Sequence, residues 1–440
     1  MSMKNHLLDK VHHKDMRCGV IGLGYVGLPL AVAFASAGFH TMGLDVNQDK
    51  IDQLNHKQNY INDVDTHELQ AVMEKNILRV TADFSQMKDL DFIMVCVPTP
   101  LDSHKQPDMK HITESCEQLA KYVTPRTAIV LESTTYPGTT EDLIRPLLEE
   151  KSGLVCGEDF YLGFSPERID PGNAVFNVKN TPKIVGAIGD DALEVIASMY
   201  RAALHHEIFT VSSPSIAEMA KLLENTYRNV NIGLINEIAQ LCNKIDIDIW
   251  EVIEAAKTKP YGFQAFYPGP GLGGHCIPLD PYYLSWKARA YDFHTSMIES
   301  SMIINDKMPS YCVERANKIL NHHKKPIHGS RILLIGIAYK RDLSDYRESP
   351  ALDIYDLLKA DGADISYYDP HVAAFENHGE TVAGLPELTA EMVKESDLLI
   401  IATGHKNVDY AMIQKNAKAV FDARNILHEW DIDGDNIYVL

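Results

Sequence analysis

A glycine-rich turn near the amino terminus limits the fold more than any other stretch of the chain. An apolar strand ends at Ile21, and Gly22, Gly24 and Gly27 then complete G-x-G-x-x-G at the start of an alanine-rich helix. The next apolar strand ends in Asp45, at the spacing of about 20 residues that a dinucleotide-binding unit needs. The glycines let the backbone approach a pyrophosphate at the helix N-terminus. Asp45 is placed to accept hydrogen bonds from a ribose, which favours NAD over NADP because a 2′-phosphate would be repelled.

Length and charge exclude several classes of protein. With 440 residues, the chain is too long for one ordinary core, so two or three domains are expected. A formal net charge of −20 disfavours nucleic acid and anionic membranes as partners, and no apolar run reaches the ~18 residues that span a bilayer. Residues 1–16 are polar and lack the apolar core of a secretion signal, so we expect a flexible N-terminal extension on a cytoplasmic protein.

The cysteines and histidines do not form a metal-binding pattern. The seven cysteines are scattered and contain no C-x-x-C, which indicates reduced thiols and no structural zinc. The 19 histidines occur partly as doublets whose neighbours face different sides of a helix, and none shows ligand spacing. We therefore expect no bound metal.

An α/β rhythm continues behind the glycine turn. Apolar strands are predicted within 91–100, 128–137, 157–164 and 181–186, so residues 17–210 are expected to form one domain. In an open parallel sheet, ligands sit at the carboxyl ends of the strands. Three side chains that could take part in binding or catalysis lie at such ends, namely Thr99, Thr135 and Glu167. An ordinary capping role would also explain each of them.

A long helix is predicted from about residue 215 to 245. Its apolar residues form one broad stripe, whereas Lys221, Asn225 and Asn229 recur every four positions and share a second face. A solvated polar face is the simplest interpretation of that row. However, so much apolar surface predicts a mostly buried helix, and a buried lysine needs a reason. We therefore expect Lys221 and Asn225 to line a site, and the helix to offer a dimer surface.

Glycine and proline dominate the stretch Tyr267–Asp280. Such a run does not form the interior of a helix or strand. It predicts a tight loop that brings the backbone close to another group and fixes Cys276. A surface turn with an incidental buried cysteine is equally consistent with this stretch alone. Helical segments flank the loop, so residues 211–320 are expected to form a central helical domain.

The α/β rhythm restarts after the linker 322–330, and residues 321–440 are expected to form a second α/β domain. This domain lacks G-x-G-x-x-G, so we expect it to bind something other than a dinucleotide. Its strand ends carry a basic set suited to an anionic substrate, namely Lys340, Arg341, Arg347, His405 and Arg424. The predicted fold class is α/β, with two doubly wound Rossmann-like domains joined by a central helical dimerisation region.

A nicotinamide site together with a poised cysteine predicts a particular oxidation. A thiolate adds to an aldehyde, hydride leaves to NAD⁺, and water releases a carboxylate from the resulting thioester. A nearby lysine would lower the pKa of the cysteine and stabilise an oxyanion. Asp280 would orient or activate the water.

Several motifs in the same order carry a family resemblance over nearly the whole chain. They are Gly22-x-Gly-Tyr-Val-Gly27, Glu132-Ser-Thr-Thr-Tyr-Pro-Gly138, Ser165-Pro-Glu-Arg168, Lys221-x-x-x-Asn225, Gly273-Gly-His-Cys-Ile-Pro-Leu-Asp280, Gly336-x-x-Tyr-Lys340, Arg347-Glu-Ser-Pro350 and Asp422-x-Arg-Asn425. The sequence resembles the UDP-glucose/GDP-mannose dehydrogenase family. The resemblance implies oxidation of the C6 hydroxyl of a nucleotide sugar to a carboxylate with two NAD⁺. It also implies a homodimer, or an oligomer built from dimers, formed through the central helix.

The resemblance implies roles residue by residue. The implied catalytic residues are Cys276, Lys221, Asn225, Asp280, Thr135 and Glu167. The implied cofactor contacts are Gly22, Gly24, Tyr25, Val26, Gly27, Asp45, Pro98, Thr99, Thr135 and Arg347. The implied substrate contacts are Glu167, Arg168, Lys221, Asn225, Tyr267, Gly271, Gly273, Lys340 and Arg424.

One departure from the family pattern bears on the sugar. UDP-glucose enzymes of this family carry Pro-Glu-x-x-x-Glu-Gly, whereas this chain has Pro171 in place of the second glutamate. With Tyr-Pro-Gly-Pro-Gly before the cysteine motif, this resembles the branch that acts on UDP-N-acetylhexosamines. UDP-GlcNAc is the first choice, and UDP-GalNAc, UDP-ManNAc and UDP-glucose are alternatives. A two-electron alcohol or hydroxyacid dehydrogenase and a non-catalytic NAD-binding scaffold remain rival interpretations.

Overall fold

The computed structural model describes residues 1–440 except 62, 171, 174, 205 and 275. The chain forms two compact units, the first comprising Met1–Glu224 with Tyr282–Asp292 and the second comprising Asn225–Pro281 with Phe293–Leu440. The segment predicted as a separate helical middle is therefore shared between the two units.

The first unit contains an eight-stranded sheet. Its strands are β1 (Cys18–Ile21), β2 (Thr41–Leu44), β3 (Leu78–Thr81), β4 (Phe92–Val95), β5 (Thr127–Leu131), β6 (Phe160–Phe164), β7 (Lys183–Ala187) and β8 (Ile208–Val211). The order is β3-β2-β1-β4-β5-β6-β7-β8, and every pair is parallel except β6 with β7. The central strands are buried on both faces, which explains their continuous apolar sequences.

Helices cover both faces of this sheet. They are α1 (Met3–His13), α2 (Gly27–Ser36), α3 (Gln48–Asn55), α4 (Thr66–Glu74), α5 (Lys110–Ala120), α6 (Arg145–Ser152) and α7 (Asp190–Leu204). The predicted long helix is observed as α8 (Pro214–Ile245), and the division between the units falls within it. Within the described residues, no helix has both the length and the apolar character that a membrane crossing needs.

The N-terminal extension differs from the expectation of a flexible segment. Residues 3–13 form α1, whose apolar positions Leu7 and Val11 lie one turn apart and are 0% and 7% exposed in the core of the first unit. Lys10 forms an ion pair with Asp91 at 2.5 Å. The extension docks because its apolar residues occur at helical spacing, a pattern too short to notice in a polar sequence.

The second unit contains a five-stranded parallel sheet and a hairpin. The sheet strands are β9 (Arg331–Ile335), β10 (Asp364–Tyr368), β13 (Leu398–Ile401), β14 (Val420–Asp422) and β15 (Ile437–Val439), in the order β10-β9-β13-β14-β15. The hairpin joins β11 (Ala374–Asn377) and β12 (Glu380–Ala383). The remaining helices are α9 (Ile249–Lys257), α10 (Asp280–Arg289, shared with the first unit), α11 (Ser296–His322), α12 (Pro350–Ala360), α13 (Ala390–Glu395), α14 (Tyr410–Asn416) and α15 (Ile426–Glu429). These two sheets confirm the predicted fold class.

The two sheets share one construction at the end of their first strand. Gly22 after β1 and Gly336 after β9 have φ of 90° and 84°, a conformation that favours glycine. The amide that follows each glycine donates to an aspartate beyond the neighbouring strand, Asp45 at 2.9 Å and Asp369 at 2.7 Å. Each acid therefore stabilises the tight turn that follows the first strand of its sheet.

Candidate active site

The three glycines of the first turn have three different surroundings. A Cβ at Gly22 would lie 2.7 Å from the carbonyl oxygen of Cys96, and one at Gly27 would lie 1.8 Å from the carbonyl oxygen of Gly22. A Cβ at Gly24 would meet nothing within 4 Å. Gly22 and Gly27 are thus required by the protein itself, whereas Gly24 borders open space. That space fits a pyrophosphate placed against the backbone.

The start of α2 is suited to hold such an anion. Its N-cap residue, Val26, makes no side-chain cap hydrogen bond, and the amide of Leu28 donates to the carbonyl of Gly24 at 3.1 Å. Tyr25, beside the turn, is 43% exposed. The dipole of a helix N-terminus favours a phosphate group.

Asp45 keeps a hydrogen-bonding position for a ribose, and Asp369 does not. Asp45 accepts from two backbone amides at 2.9 Å and from Lys50 at 3.1 Å. Asp369 accepts from four backbone amides and from His405 at 3.0 Å. A carboxylate offers about four lone-pair sites, so Asp369 is saturated. This contrast supports the prediction that the second sheet binds something other than a dinucleotide.

Thr99 and Thr135 lie at the carboxyl ends of β4 and β5, as predicted. The carbonyl of Thr99 accepts from the hydroxyl of Tyr283 at 3.0 Å, and neighbouring Pro98 is exposed. Thr135 is only 1% exposed, and its hydroxyl lies 2.5 Å from that of Thr139. The preceding residue, Thr134, is more accessible at the same strand end. A catalytic role at this strand end therefore has two threonine candidates, of which the sequence analysis named one.

Glu218 of α8 fixes the turn that follows Thr135, a role that the sequence analysis missed. Its carboxylate accepts from the amides of Gly138 at 2.6 Å and Thr140 at 2.9 Å, and from the Thr140 hydroxyl at 2.6 Å. Burial raises the pKa of Glu218, against the lowering effect of these donors. An acid near the start of a helix usually indicates only a favourable charge, so the sequence carried no signal for this contact.

Glu167 and Arg168 follow β6 and have distinct partners. One Glu167 oxygen accepts from the amides of Arg168 and Ile169 at 2.6 and 2.8 Å. The guanidinium of Arg168 contacts both carboxylate oxygens of Glu224, at 3.1 and 2.7 Å. Arg168 would therefore have to exchange part of this pair to bind a substrate.

In the second unit, α8 holds the loop that carries Cys276. The side-chain amide of Asn225 donates to Asp280 at 2.5 Å, and that of Asn229 donates to the carbonyl of Ile277 at 3.2 Å. The amide of Asp280 donates to the carbonyl of Cys276 at 2.9 Å. The polar row on α8 is therefore a buried, loop-binding face rather than a solvated one. Lys221, one turn earlier on the helix, is 6% exposed.

The glycines of the Cys276 loop make room for protein groups. Cβ atoms at Gly273 and Gly274 would lie 2.6 and 2.7 Å from side-chain atoms of Tyr339, and one at Gly271 would lie 2.9 Å from Pro350. A Cβ at Gly269 would lie 2.4 Å from the guanidinium of Arg424. The sequence predicted that the loop backbone comes close to another group, and that group is the set of side chains of the second α/β domain.

Tyr267 is anchored beside α9. Its ring stacks on Trp250 with centroids 6.1 Å apart, and its hydroxyl donates to Glu254 at 2.9 Å. The ring is 44% exposed, so one face stays accessible. Tyr267 thus fixes the start of the loop, and its predicted substrate contact stays a prediction.

The five basic residues predicted at the strand ends of the second domain fall into two groups, those that stabilise the fold and those proposed to meet a ligand. His405 is 0% exposed and bonded to Asp369, and Arg341 donates to the carbonyl of Gly404 at 2.5 Å, so both stabilise the fold. Lys340, Arg347 and Arg424 keep part of their surface accessible. Arg347 pairs with Asp345 at 2.6 Å, and burial lowers the pKa of Arg424.

One group of side chains in the described part of the chain has the composition of a metal site. It consists of Asp342, His371 and His405. Both ring nitrogens of His405 are engaged, one by Asp369 at 3.0 Å and the other by the amide of Asp342 at 2.9 Å. A ligand nitrogen must offer a free lone pair, so this group does not fit a metal ion.

Comparisons with known proteins match three consecutive segments of the chain. Residues 16–204, 215–307 and 333–429 match the NAD binding domain, the central domain and the UDP binding domain of the UDP-glucose/GDP-mannose dehydrogenase family. Protein CapL of Staphylococcus aureus is 36% identical over 419 residues, covering 94% of this chain and 97% of that protein. The UDP-N-acetyl-D-glucosamine 6-dehydrogenase of Pseudomonas aeruginosa is 36% identical over 425 residues, covering 94% and 98%. The solved structure of UDP-D-ManNAc dehydrogenase from Pyrococcus horikoshii has a TM-score of 0.87 and 32% identity, covering 96% of this chain and 99% of that one.

These matches define the class of protein as an NAD-dependent dehydrogenase of nucleotide sugars. The chain belongs to the UDP-glucose/GDP-mannose dehydrogenase family. The predicted family and the predicted cofactor, NAD, are both confirmed.

Gly24 and Gly27 have different surroundings, so substitution should affect NAD⁺ binding at Gly24 and stability at Gly27. Gly24→Val fills open space, so we expect at least tenfold weaker NAD⁺ binding with an unchanged melting temperature. Gly27→Val drives a side chain into the carbonyl of Gly22 and should lower the melting temperature by several degrees. Calorimetric titration with NAD⁺ and thermal unfolding measure both effects. Unchanged NAD⁺ affinity in Gly24→Val would contradict the assignment of the space beside Gly24.

Proposed function

We propose that this dehydrogenase oxidises the C6 hydroxyl of a UDP-N-acetylhexosamine, with UDP-GlcNAc as first choice, to the uronic acid in two NAD⁺-dependent steps. The observation that carries the proposal is the hydrogen bond between Asn225 and Asp280 directly behind Cys276. The amide of Asp280 in turn donates to the carbonyl of Cys276 at 2.9 Å, and the Cys276 residue is partly exposed, in a family that uses NAD. The product would serve the synthesis of surface polysaccharide.

The proposed reaction consists of two oxidations followed by a hydrolysis. The alcohol is first oxidised to an aldehyde, with loss of a hydride and a proton. The Cys276 thiolate then adds to the aldehyde, and the thiohemiacetal loses a second hydride to form a thioester. Water cleaves the thioester, which releases the carboxylate and the thiol. NAD⁺ supplies the hydride acceptor in both oxidations.

The surrounding residues support these steps. Lys221 and Asn225 stabilise the oxyanion of the thiohemiacetal. Asp280 orients the attacking water. Thr135 and Glu167 act at the strand ends of the first unit, where the first oxidation occurs.

Substrate binding is assigned to accessible groups at two places. Lys340 and Arg424, which follow strands β9 and β14 of the second sheet, bind the diphosphate with their positive charges. The loop residues Tyr267, Gly271 and Gly273 border the sugar. Arg168 is a further sugar-side contact once its pair with Glu224 opens. Arg347 is proposed to contact the cofactor phosphates.

Several of the similar proteins are named for a UDP-N-acetylhexosamine. One relative is named for UDP-N-acetyl-D-glucosamine and another for UDP-N-acetyl-D-mannosamine, at 36% and 34% identity. These sugars differ only in configuration at C2, so a small change in the loop would switch preference. Pro171 and the Tyr-Pro-Gly-Pro-Gly stretch favour a UDP-N-acetylhexosamine over UDP-glucose. Among the hexosamines UDP-GlcNAc is our first choice, with UDP-ManNAc and UDP-GalNAc as alternatives, and UDP-glucose is a further alternative.

NADH formation across a panel of nucleotide sugars tests this function. We expect UDP-GlcNAc to give the highest kcat/KM among UDP-GlcNAc, UDP-ManNAc, UDP-GalNAc, UDP-glucose and GDP-mannose. Two NADH per sugar and an acid product are expected. One NADH with an aldehyde product would instead indicate a two-electron dehydrogenase, and no turnover of any sugar would favour a non-catalytic NAD-binding protein. A preference for UDP-glucose would overturn the choice of sugar but not the chemistry.

Replacement of the nucleophile tests the covalent step. Cys276→Ser should reduce acid formation at least 10³-fold, because an alkoxide is far less available than a thiolate at neutral pH. Cys156→Ser is the matched control, since Cys156 is also partly exposed and burial raises its pKa to about 11. Mass spectrometry of the wild-type enzyme during turnover should detect an adduct on Cys276. Equal acid formation in both variants would refute the thioester.

We also propose that the enzyme is a cytoplasmic homodimer formed through α8. An exposed apolar stripe with near-heptad spacing follows this helix: Tyr227, Leu234, Leu241 and Ile245 are 47%, 54%, 50% and 53% exposed. An exposed stripe of this extent usually marks a protein interface. The identical stripe on a second copy is its natural complement.

A charge in the stripe should separate the protomers. Leu234→Arg is expected to shift the molar mass in solution from dimer to monomer, because an arginine is costly at an apolar interface. Leu357→Arg is the control, since Leu357 is an exposed leucine of α12 at 36%. Light scattering after size exclusion measures the mass. A dimer that persists in Leu234→Arg would place the interface elsewhere.

A further inference from the structure

A cluster of buried ionisable groups lies at the carboxyl ends of β5 and β6 in the first unit. Glu132 follows β5, Lys183 begins β7 and Tyr200 lies in α7, and they are 1%, 5% and 0% exposed. None of them takes part in the chemistry assigned above. A charge removed from water is costly unless it is paired. The burial of Lys183 between two carboxylates is therefore explained only if the lysine pairs with them or serves the site.

Lys183 connects an interior carboxylate to one at the site. Its ammonium lies 2.7 Å from Glu132 and 3.7 Å from Glu167, and it donates to the carbonyl of Pro166 at 3.4 Å. The hydroxyl of Tyr200 donates to the other oxygen of Glu132. Glu132 is thus held on both oxygens inside the protein. The Glu167 side chain keeps 14% of its surface exposed at the strand end.

Two carboxylates share one lysine, so the charge of Glu132 affects the electric field at Glu167. Burial raises the pKa of Glu132 to about 7, although Lys183 acts to lower it. The titratable groups that face Glu132 are Lys183, Glu167, Tyr200 and Cys96. Below that pH Glu132 is neutral and the lysine faces Glu167 alone. Above it, two anions divide the effect of one cation.

We propose that Lys183 is a positioning residue that holds the Glu167 carboxylate at the end of β6 through the charge of its ammonium group. In this arrangement Glu132 is the competing anion, and Tyr200 keeps Glu132 in place. The Glu167 oxygen that does not bond to its own loop is the one directed at Lys183. The proposal rests on the role of Glu167 in the proposed function.

Two variants that remove different charges of the cluster test this role. Lys183→Met removes the cation and should move the acidic limb of the pH profile of kcat/KM up by about one pH unit. Glu132→Gln should leave that limb in place, because Glu132 is already neutral below about pH 7. Lys183→Arg keeps the charge and should restore the wild-type position. The assays use NAD⁺ with whichever of UDP-GlcNAc and UDP-ManNAc the wild-type enzyme oxidises faster.

Folding and the role of Glu167 are checked separately. NAD⁺ binding and thermal unfolding show whether each variant is native, and the double variant Lys183→Met/Glu132→Gln replaces Lys183→Met if that variant does not fold. The acidic limb of the pH profile of the double variant should lie at higher pH than that of the wild-type enzyme. Glu167→Gln with wild-type activity and profile would refute the role of Glu167 in the proposed function. Loss of the limb in Glu167→Gln, with no shift of the limb in Lys183→Met, would overturn the positioning role alone.

Discussion

The carboxylate that accepts from the amide after a strand-ending glycine is the interaction on which both sheets depend. A buried amide without an acceptor costs about 1–3 kcal/mol, and the tight turn after β1 or β9 directs such an amide inward. Asp45 and Asp369 accept these amides from the neighbouring strand. The acid therefore closes the turn first, and only its remaining lone pairs are open to a ligand.

This shared construction explains why similar sheets have different ligands. Asp369 also accepts from His405, and burial, which alone would raise the pKa of Asp369, is outweighed by His405 and the amides that lower it. Asp45 has fewer donors and can still accept from a ribose hydroxyl. The difference between the domains thus lies in hydrogen-bond saturation as well as in the missing glycines.

A second organising feature is the polar face of α8. Glu218, Asn225, Asn229 and Asn236 are buried on it, and they bind in turn the 138–140 turn, Asp280, the carbonyl of Ile277 and the amide of Gly269. A buried amide side chain without a partner would destabilise the protein. Within the second unit, α8 therefore holds the Cys276 loop at three points along the helix.

Sequence by itself determined the α/β class, the glycine turn with Asp45, the extent of α8 and the family, because these depend on local periodicity and on motifs of fixed spacing. It also predicted that Asn225 and Asp280 belong to one site, whereas their hydrogen bond is known only from the structure. Tertiary structure alone decided that α1 docks, that Thr135 is buried beside a more accessible Thr134, and that the loop glycines face Tyr339 and Arg424. It alone brought Lys183 between Glu132 and Glu167. Contacts between residues distant in the chain depend on packing and burial, and neither leaves a local pattern in the sequence.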